Sequence, residues 1–91
     1  MSIVVRFHPA NLTAEKYDES HPKVEEAGFP PDGLDYHVCF GSPDNLAVSE
    51  IWDSREQMEA WGETLMPILM ESGIEFSGEP EVFEVHNLVR R

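Results

Sequence analysis

Residues 34–52 read LDYHVCFGSPDNLAVSEIW, and this stretch decides the fold. Two runs rich in β-branched and aromatic residues, 34–40 and 46–52, flank a segment of glycine, serine, proline, aspartate and asparagine at 41–45. Runs of that composition predict strands, and a five-residue connection of turn-forming residues is typical of a β-hairpin. We therefore expect an antiparallel pair of strands in the middle of the chain.

The other elements lie on either side of this hairpin. Residues 3–8 (IVVRFH) and 81–89 (EVFEVHNLV) predict a first and a fourth strand. One helix follows the first strand and begins at the N-cap Thr13, and another follows the hairpin and begins at a capping box on Ser54. The order βαββαβ is the ferredoxin-like pattern, so residues 1–91 are expected to form a single α+β domain.

Two right-handed crossovers place the four strands antiparallel in the order 4-1-3-2, with both helices on one face of the sheet. The other face is open, and strand residues alternate between the two faces. If Phe40 pairs with Leu46, one face of the hairpin carries the larger side chains, and we assign it to the open face. That set is Leu34, Tyr36, Val38, Phe40, Leu46, Val48, Glu50 and Trp52, joined by Val4, Arg6, His8, Val82, Glu84 and His86. A shift of one residue in the pairing would exchange the two faces.

An open face of this kind is too apolar for a monomer. Leu34, Val38, Val48 and Trp52 together would expose a larger apolar patch than soluble monomers usually do. A chain of 91 residues also has a thin core. Two copies related by a two-fold axis can cover the patch with the same face of each. We therefore predict a homodimer formed through the open sheet face.

The composition limits the partners. Eighteen acidic against six basic residues give a net charge of −12, which repels nucleic acid and anionic membrane surfaces. No stretch approaches the roughly 20 apolar residues of a membrane-spanning helix, and the first residues lack the apolar run of a signal peptide. The single cysteine, Cys39, excludes an internal disulfide. We predict a cytoplasmic protein that binds neither nucleic acid nor membrane.

The βαββαβ order, the strand-to-helix junction IWDS at 51–54 and the second-helix pattern of Trp61 followed by LMP at 65–67 resemble the dimeric α/β-barrel superfamily. Within it, the chain is similar to the small antibiotic-biosynthesis-monooxygenase-like proteins. The resemblance covers nearly the whole chain. It implies a homodimeric barrel with a ligand cavity, either inside the barrel or between sheet and helices.

The same resemblance implies a range of activities. Members include cofactor-independent quinol oxygenases, haem-degrading monooxygenases, decarboxylases and isomerases, besides many proteins of unknown role. The haem-degrading branch uses an Asn, a Trp and a His that is supplied by the second helix. This chain has Trp61 in that helix but no histidine there and no asparagine in its first strand. Haem degradation is therefore disfavoured, and we predict no cofactor.

Three side chains are candidates for catalysis. Histidine titrates near neutrality, so His37 and His86 could act as general acid or base within a cavity. Arg6 could hold an acidic substrate or a developing oxyanion. Ordinary structure accounts for the same residues through solvated or hydrogen-bonded histidines and through an ion pair between Arg6 and Glu50 on a neighbouring strand.

Five side chains are candidates for ligand binding. Tyr36, Trp52 and Trp61 would form aromatic walls, and Glu50 and His8 would add polar groups. Core packing explains Trp61 equally well, because aromatic residues at helical spacing are usually buried for packing alone. The histidines form no metal-ligand spacing, so we predict no metal site.

Two functions stay open at this point. The first is a cofactor-independent monooxygenase-like enzyme acting on an aromatic or apolar small molecule, suggested by the resemblance and the aromatic cavity. The second is a non-catalytic dimeric module, either ligand-binding or accessory, suggested by the absence of any residue group with catalytic spacing. A cavity above about 300 Å³ with a convergent histidine would favour the enzyme.

Overall fold

A computed structural model describes residues 2–76 and 78–90. Its elements are β1 (Ile3–Phe7), α1 (Ala14–Glu26), β2 (Leu34–Ser42), β3 (Asn45–Trp52), α2 (Arg55–Glu71) and β4 (Glu81–Glu84). The strands form one antiparallel sheet in the order β2-β3-β1-β4. The α+β ferredoxin-like fold and the strand order are thereby confirmed, although β4 ends at residue 84 rather than at 89.

Both helices begin at the predicted caps. The Thr13 side chain accepts a hydrogen bond from the Lys16 amide at 3.1 Å, and the Ser54 side chain accepts one from the Gln57 amide at 3.2 Å. The Ser54 hydroxyl also donates to Gln57 Oε1 at 3.0 Å. Each cap satisfies an amide that the first helical turn leaves without a partner. The caps therefore determine where each helix starts.

The pairing of the hairpin differs from the prediction. The first pair forms as expected, but a bulge between Leu34 and Tyr36 adds one residue to β2. Beyond the bulge every pair is shifted by one position, so that His37 lies opposite Glu50. Because neighbouring strand residues alternate between the two faces, the bulge places Tyr36 on the open face and leaves Leu34 and His37 on the face that carries the helices.

The face assigned to β3 is wrong. Trp52 is fully buried and Glu50 is 4% exposed, and they lie in register with Ile3 and Val5 of β1, which face the helices. Neighbours in register share a face, so the larger side chains of β3 face the helices and the smaller ones face outward. Leu34, Leu46, Val48, Glu50 and Trp52 therefore leave the predicted open set. The observed open face carries Val4, Arg6, Tyr36, Val38, Phe40, Ala47, Ser49, Ile51, Glu81 and Phe83.

The faces of β4 are also reversed. Val82 pairs with Val5 and packs against the core, whereas Phe83 pairs with Val4 and is 52% exposed. The alternation of β1 decides this arrangement, because each β4 side chain must share the face of its partner. Glu84 accordingly lies on the helix side, and His86 lies beyond the end of the strand.

The core lies between the sheet and the helices. Its buried members are Ile3, Val5, Val24, Trp52 and Trp61. They come from both central strands and both helices, so every layer contributes to one cluster. Among the described residues, no helix has the length and apolar character needed to cross a membrane.

Candidate functional site

A cavity of about 120 Å³ lies between the helix side of the sheet and the two helices. Aromatic rings supply much of its wall, namely Phe7, Tyr17, Phe29, Trp52, Trp61 and Phe76. Within the described part of the chain, no lysine or arginine lines it, and Glu50 is its one carboxylate. The cavity is thus an apolar space with a single concentrated polar region.

That polar region is a chain of three hydrogen bonds. Glu50 Oε1 accepts from Trp52 Nε1 at 3.0 Å, and Glu50 Oε2 lies 2.6 Å from His37 Nδ1. The hydroxyl of Tyr17 lies 2.9 Å from the other ring nitrogen, His37 Nε2. All four residues line the cavity. We refer to Trp52, Glu50, His37 and Tyr17 as the polar chain.

The network assigns the protons of the polar chain. A carboxylate only accepts hydrogen bonds, so His37 Nδ1 carries the hydrogen that points to Glu50. In a neutral imidazole, His37 Nε2 then accepts from the Tyr17 hydroxyl. Burial raises the pKa of Tyr17, with smaller contributions from Cys39, Glu50 and Asp18, so Tyr17 keeps its hydrogen near neutral pH. The basic nitrogen of His37 is therefore the one directed to Tyr17.

Regular secondary structure holds these groups in place. His37 and Glu50 are direct cross-strand neighbours on β2 and β3, and Trp52 is two residues further along the same face of β3. Phe29 packs edge-on against His37 with ring centroids 5.2 Å apart, and the Tyr17 ring lies nearly parallel to the imidazole with centroids 6.3 Å apart. The imidazole is thus held by two hydrogen bonds and by the contact with Phe29.

Two hydrogen bonds of the Asn11 side chain, which we call the Asn11 clamp, join two loops beside the cavity. The Asn11 side chain donates to the Gly73 carbonyl at 2.8 Å and accepts from the Glu75 amide at 2.7 Å. These bonds join the loop after β1 to the loop after α2. Pro9 and Phe76, which pair across the same two loops, both line the cavity. The clamp therefore holds part of the cavity wall in position.

Only some of the residues that the sequence suggested lie at the cavity. His37, Glu50, Trp52 and Trp61 line the cavity. Arg6 is exposed on the open face, so the ion pair expected between Arg6 and Glu50 does not form, because the sheet lies between them.

The remaining candidates lie away from the cavity. Tyr36 is 50% exposed on the open face. His8 Nε2 lies 3.1 Å from Glu81 Oε1, and both side chains are about half exposed. His86 is exposed beyond β4. Of the four histidines, His37 is the one that belongs to the polar chain.

Two cavity residues were missed by sequence reasoning. Tyr17 and His21 are titratable residues that are not among the candidates suggested by the sequence. They lie one turn apart on α1 with stacked rings, centroids 5.5 Å apart, and both line the cavity. The i, i+4 spacing of a tyrosine and a histidine was the available signal, since such residues share a helix face.

Metal and thiol chemistry find little support at this site. In the ranges 2–76 and 78–90, no three His, Cys, Asp or Glu side chains are grouped to hold a metal ion. Burial raises the pKa of the Cys39 thiol, and Asp18 adds to the effect. Cys39 is therefore a thiol at neutral pH, and the thiolate is the nucleophilic form.

Searches of protein-family models and of curated proteins find no match to this chain. Solved structures do match over nearly the full length. SnoaB, a cofactor-independent oxygenase from Streptomyces nogalater, superposes with a TM-score of 0.65 at 9% identity, covering 99% of this chain and 96% of SnoaB. A Nitrosomonas europaea protein, provisionally assigned as an antibiotic biosynthesis monooxygenase, has a TM-score of 0.62 at 13% identity, covering 96% of this chain and all of that protein.

The fold is that of the antibiotic-biosynthesis-monooxygenase-like proteins. A third structure with the same provisional assignment, from Chloroflexus aurantiacus, agrees, with a TM-score of 0.58 at 17% identity and coverage of 97% and 95% of the two chains. The resemblance inferred from the sequence is thus confirmed for the fold. At such low identities the likeness establishes architecture and leaves the reaction to be argued from the site.

Proposed function

We propose that this chain is a monooxygenase-like enzyme that acts on an aromatic or apolar small molecule without a bound cofactor. The observation that carries the proposal is a histidine, His37, bonded to the buried carboxylate of Glu50 at the wall of an apolar cavity. The fold shared with SnoaB, a cofactor-independent oxygenase, supports the same class of reaction.

In this proposal Glu50 prepares His37 for proton transfer. The carboxylate keeps the hydrogen on Nδ1, which leaves Nε2 as the basic atom. When Nε2 takes a proton, the nearby negative charge stabilises the imidazolium. Because Glu50 is only 4% exposed, water screens this interaction little. Glu50 is thus a positioning residue, and His37 is the general base.

Tyr17 links the base to the cavity. A substrate can give its proton to the Tyr17 oxygen while Tyr17 passes its own hydrogen to His37 Nε2, 2.9 Å away. The deprotonated substrate is electron-rich and reacts with dioxygen. Overall the substrate loses two hydrogen atoms and gains one oxygen atom, and the second oxygen atom leaves as water. The proton held by His37 returns during formation of that water.

The proposal includes a homodimer formed through the open face. Tyr36, Phe40 and Phe83 are each between 39% and 52% exposed there. Among the acidic strand residues with a register partner, Glu81 lies on this face, whereas Glu50 and Glu84 lie on the helix side. A weakly charged apolar face on a strongly acidic protein suits association with its own copy.

A non-catalytic binding module is the second candidate. The cavity, at about 120 Å³, is smaller than the roughly 300 Å³ expected of an enzyme's ligand pocket, so of the two expected features only the convergent histidine favours the enzyme. Among the described residues, every buried side-chain nitrogen and oxygen has a hydrogen-bond partner, the polar chain included. A satisfied network of this kind is also what a purely structural role requires.

Oxygen uptake separates the two candidates. Purified protein is mixed with a panel of phenols and quinols, with no metal or flavin added, and dioxygen consumption is recorded. We expect turnover of at least one compound and a loss of about 100-fold or more in H37Q, the usual contribution of a general base. Uptake by none of the compounds would favour the binding module.

The same substitution at His86 decides between the two histidines that the sequence suggested. His86 lies outside the cavity, so H86Q is expected to keep the wild-type rate. Loss of turnover in H86Q with full turnover in H37Q would contradict the assignment of His37 as the base.

A further inference from the structure

We propose, resting on the function above, that the cavity selects an uncharged compound with one aromatic ring and a hydroxyl group directed at Tyr17. Four features of the cavity lead to this class: its volume, its aromatic walls, its charge and the acceptor at its polar end. Each feature excludes a different neighbouring class of compound.

The volume restricts the ligand to one ring. A cavity of about 150 Å³ lined by apolar side chains accommodates benzene. The cavity of this chain, at about 120 Å³, is of that order and is partly open to the surface. It therefore accommodates one ring, and a second fused ring would extend beyond its apolar walls.

The walls favour an aromatic ligand over an aliphatic one. Phe29 and Trp61 form one tilted aromatic pair with centroids 6.2 Å apart, and Phe7 and Phe76 form another at the same separation. All four rings line the cavity. A flat ring among them can make offset and edge-to-face contacts, which aromatic pairs prefer.

The charge of the cavity disfavours an anion. Within the described residues, no lysine or arginine lines it, and the carboxylate of Glu50 is part of its wall. Arg6, which the sequence suggested for an acidic substrate, lies on the other face of the sheet. A carboxylate on the ligand would be desolvated near the Glu50 carboxylate, and no lysine or arginine of the described lining would compensate its charge. An aromatic acid is therefore rejected.

The hydroxyl group has a defined acceptor. Tyr17 donates its hydrogen to His37 Nε2, and the lone pairs of its oxygen can accept a hydrogen bond from the ligand. Tyr17 is also the entrance to the polar chain in the proposed reaction. A hydroxyl that donates to Tyr17 is thus both the recognised group and the source of the proton.

Calorimetric titration with four probes tests the class on the unmodified protein. Phenol has the proposed features, toluene lacks the hydroxyl, benzoate carries a charge and 2-naphthol carries a second ring. At neutral pH we expect phenol to bind at least about 10-fold more tightly than each of the others, because a site that bonds a hydroxyl rejects an analogue without it. Equal or tighter binding of any other probe, or no binding of phenol, would overturn the proposal.

Substitution of the acceptor locates the effect. In Y17F the preference for phenol over toluene is expected to disappear, while toluene binding is kept. The matched substitution Y36F, on the open face, is expected to keep the preference. A preference that persists in Y17F would contradict Tyr17 as the acceptor, and if Y17F does not fold, the four-probe series still decides.

The result of the binding test can be interpreted independently of the result of the oxygen-uptake experiment. Phenol binding without turnover supports the ligand class and refutes the enzyme. Turnover of a two-ring or acidic compound supports the enzyme and refutes the ligand class.

Discussion

The carboxylate of Glu50 is buried with two hydrogen-bond donors, the indole of Trp52 and the imidazole of His37. In Glu50→Ala both donors lose their acceptor, and each buried donor left without a partner costs about 1–3 kcal/mol. We expect the free energy of unfolding to fall by about 2–6 kcal/mol, measured by urea denaturation. Glu50→Gln keeps an acceptor for Trp52 and is expected to cost less.

Glu59 offers the control for this change. Its carboxylate accepts from Arg55 on the exposed face of α2 at 3.0 Å, where an ion pair contributes below about 0.5 kcal/mol. Glu59→Ala should therefore leave stability almost unchanged. Equal losses at the two positions would contradict a special role for Glu50.

Tyr17 makes stability depend on alkaline pH. Its pKa is raised above the ordinary value of 10.0, chiefly by burial. Above pH 10.0 the unfolded chain releases the phenolic proton while the folded chain retains it. The contribution of Tyr17 to stability is therefore present below pH 10 and is lost as the pH rises further. The chain has two tyrosines, so in Tyr36→Phe an absorbance titration reports Tyr17 alone. A midpoint at or below the ordinary value would contradict the burial of this hydroxyl.

The secondary-structure elements show which features of the fold can be predicted from local sequence patterns. Thr13 and Ser54 predict the helix starts, because capping is local chemistry. The orientation of β3 could not be predicted from a local pattern. Either of its two alternating sets of side chains could face the helices, and the set with the larger side chains includes the charged residue Glu50. Burying that carboxylate requires two donors, His37 on β2 and Trp52 on β3, and no local pattern reveals such a pair. The candidate site was for this reason only half predicted, with His37 found and Tyr17 missed.

The bulge in β2 offers a test at the level of elements. Asp35 is the additional residue, and its removal would leave Leu34 and His37 on the helix side with regular alternation between them. We expect the deletion of Asp35 to fold and to keep the contact between His37 and Glu50, with phenol binding as the readout. Deletion of Val38 from the regular part of β2 reverses the faces of one half of the strand, and it should abolish binding. Identical behaviour of the two deletions would contradict the bulge.

The whole molecule is expected to be a dimer, and the open face carries this expectation. Sedimentation at micromolar concentration should give twice the 10.3 kDa of one chain. Phe83→Asp places a charge on the exposed apolar face and should give the monomer, because an unpaired charge buried in an interface is costly. Met70, on α2, is 70% exposed, and Met70→Asp should leave the dimer intact. A monomeric wild-type protein would refute the interface.

The sheet works as a partition, with the cavity on one side and the open face on the other. Along β3, residues 46, 48, 50 and 52 belong to the first side and residues 47, 49 and 51 to the second. Consecutive side chains of one strand therefore meet separate environments. A substitution at an inward position changes the cavity wall without changing the open face, and a substitution at an outward position changes the open face without changing the cavity wall.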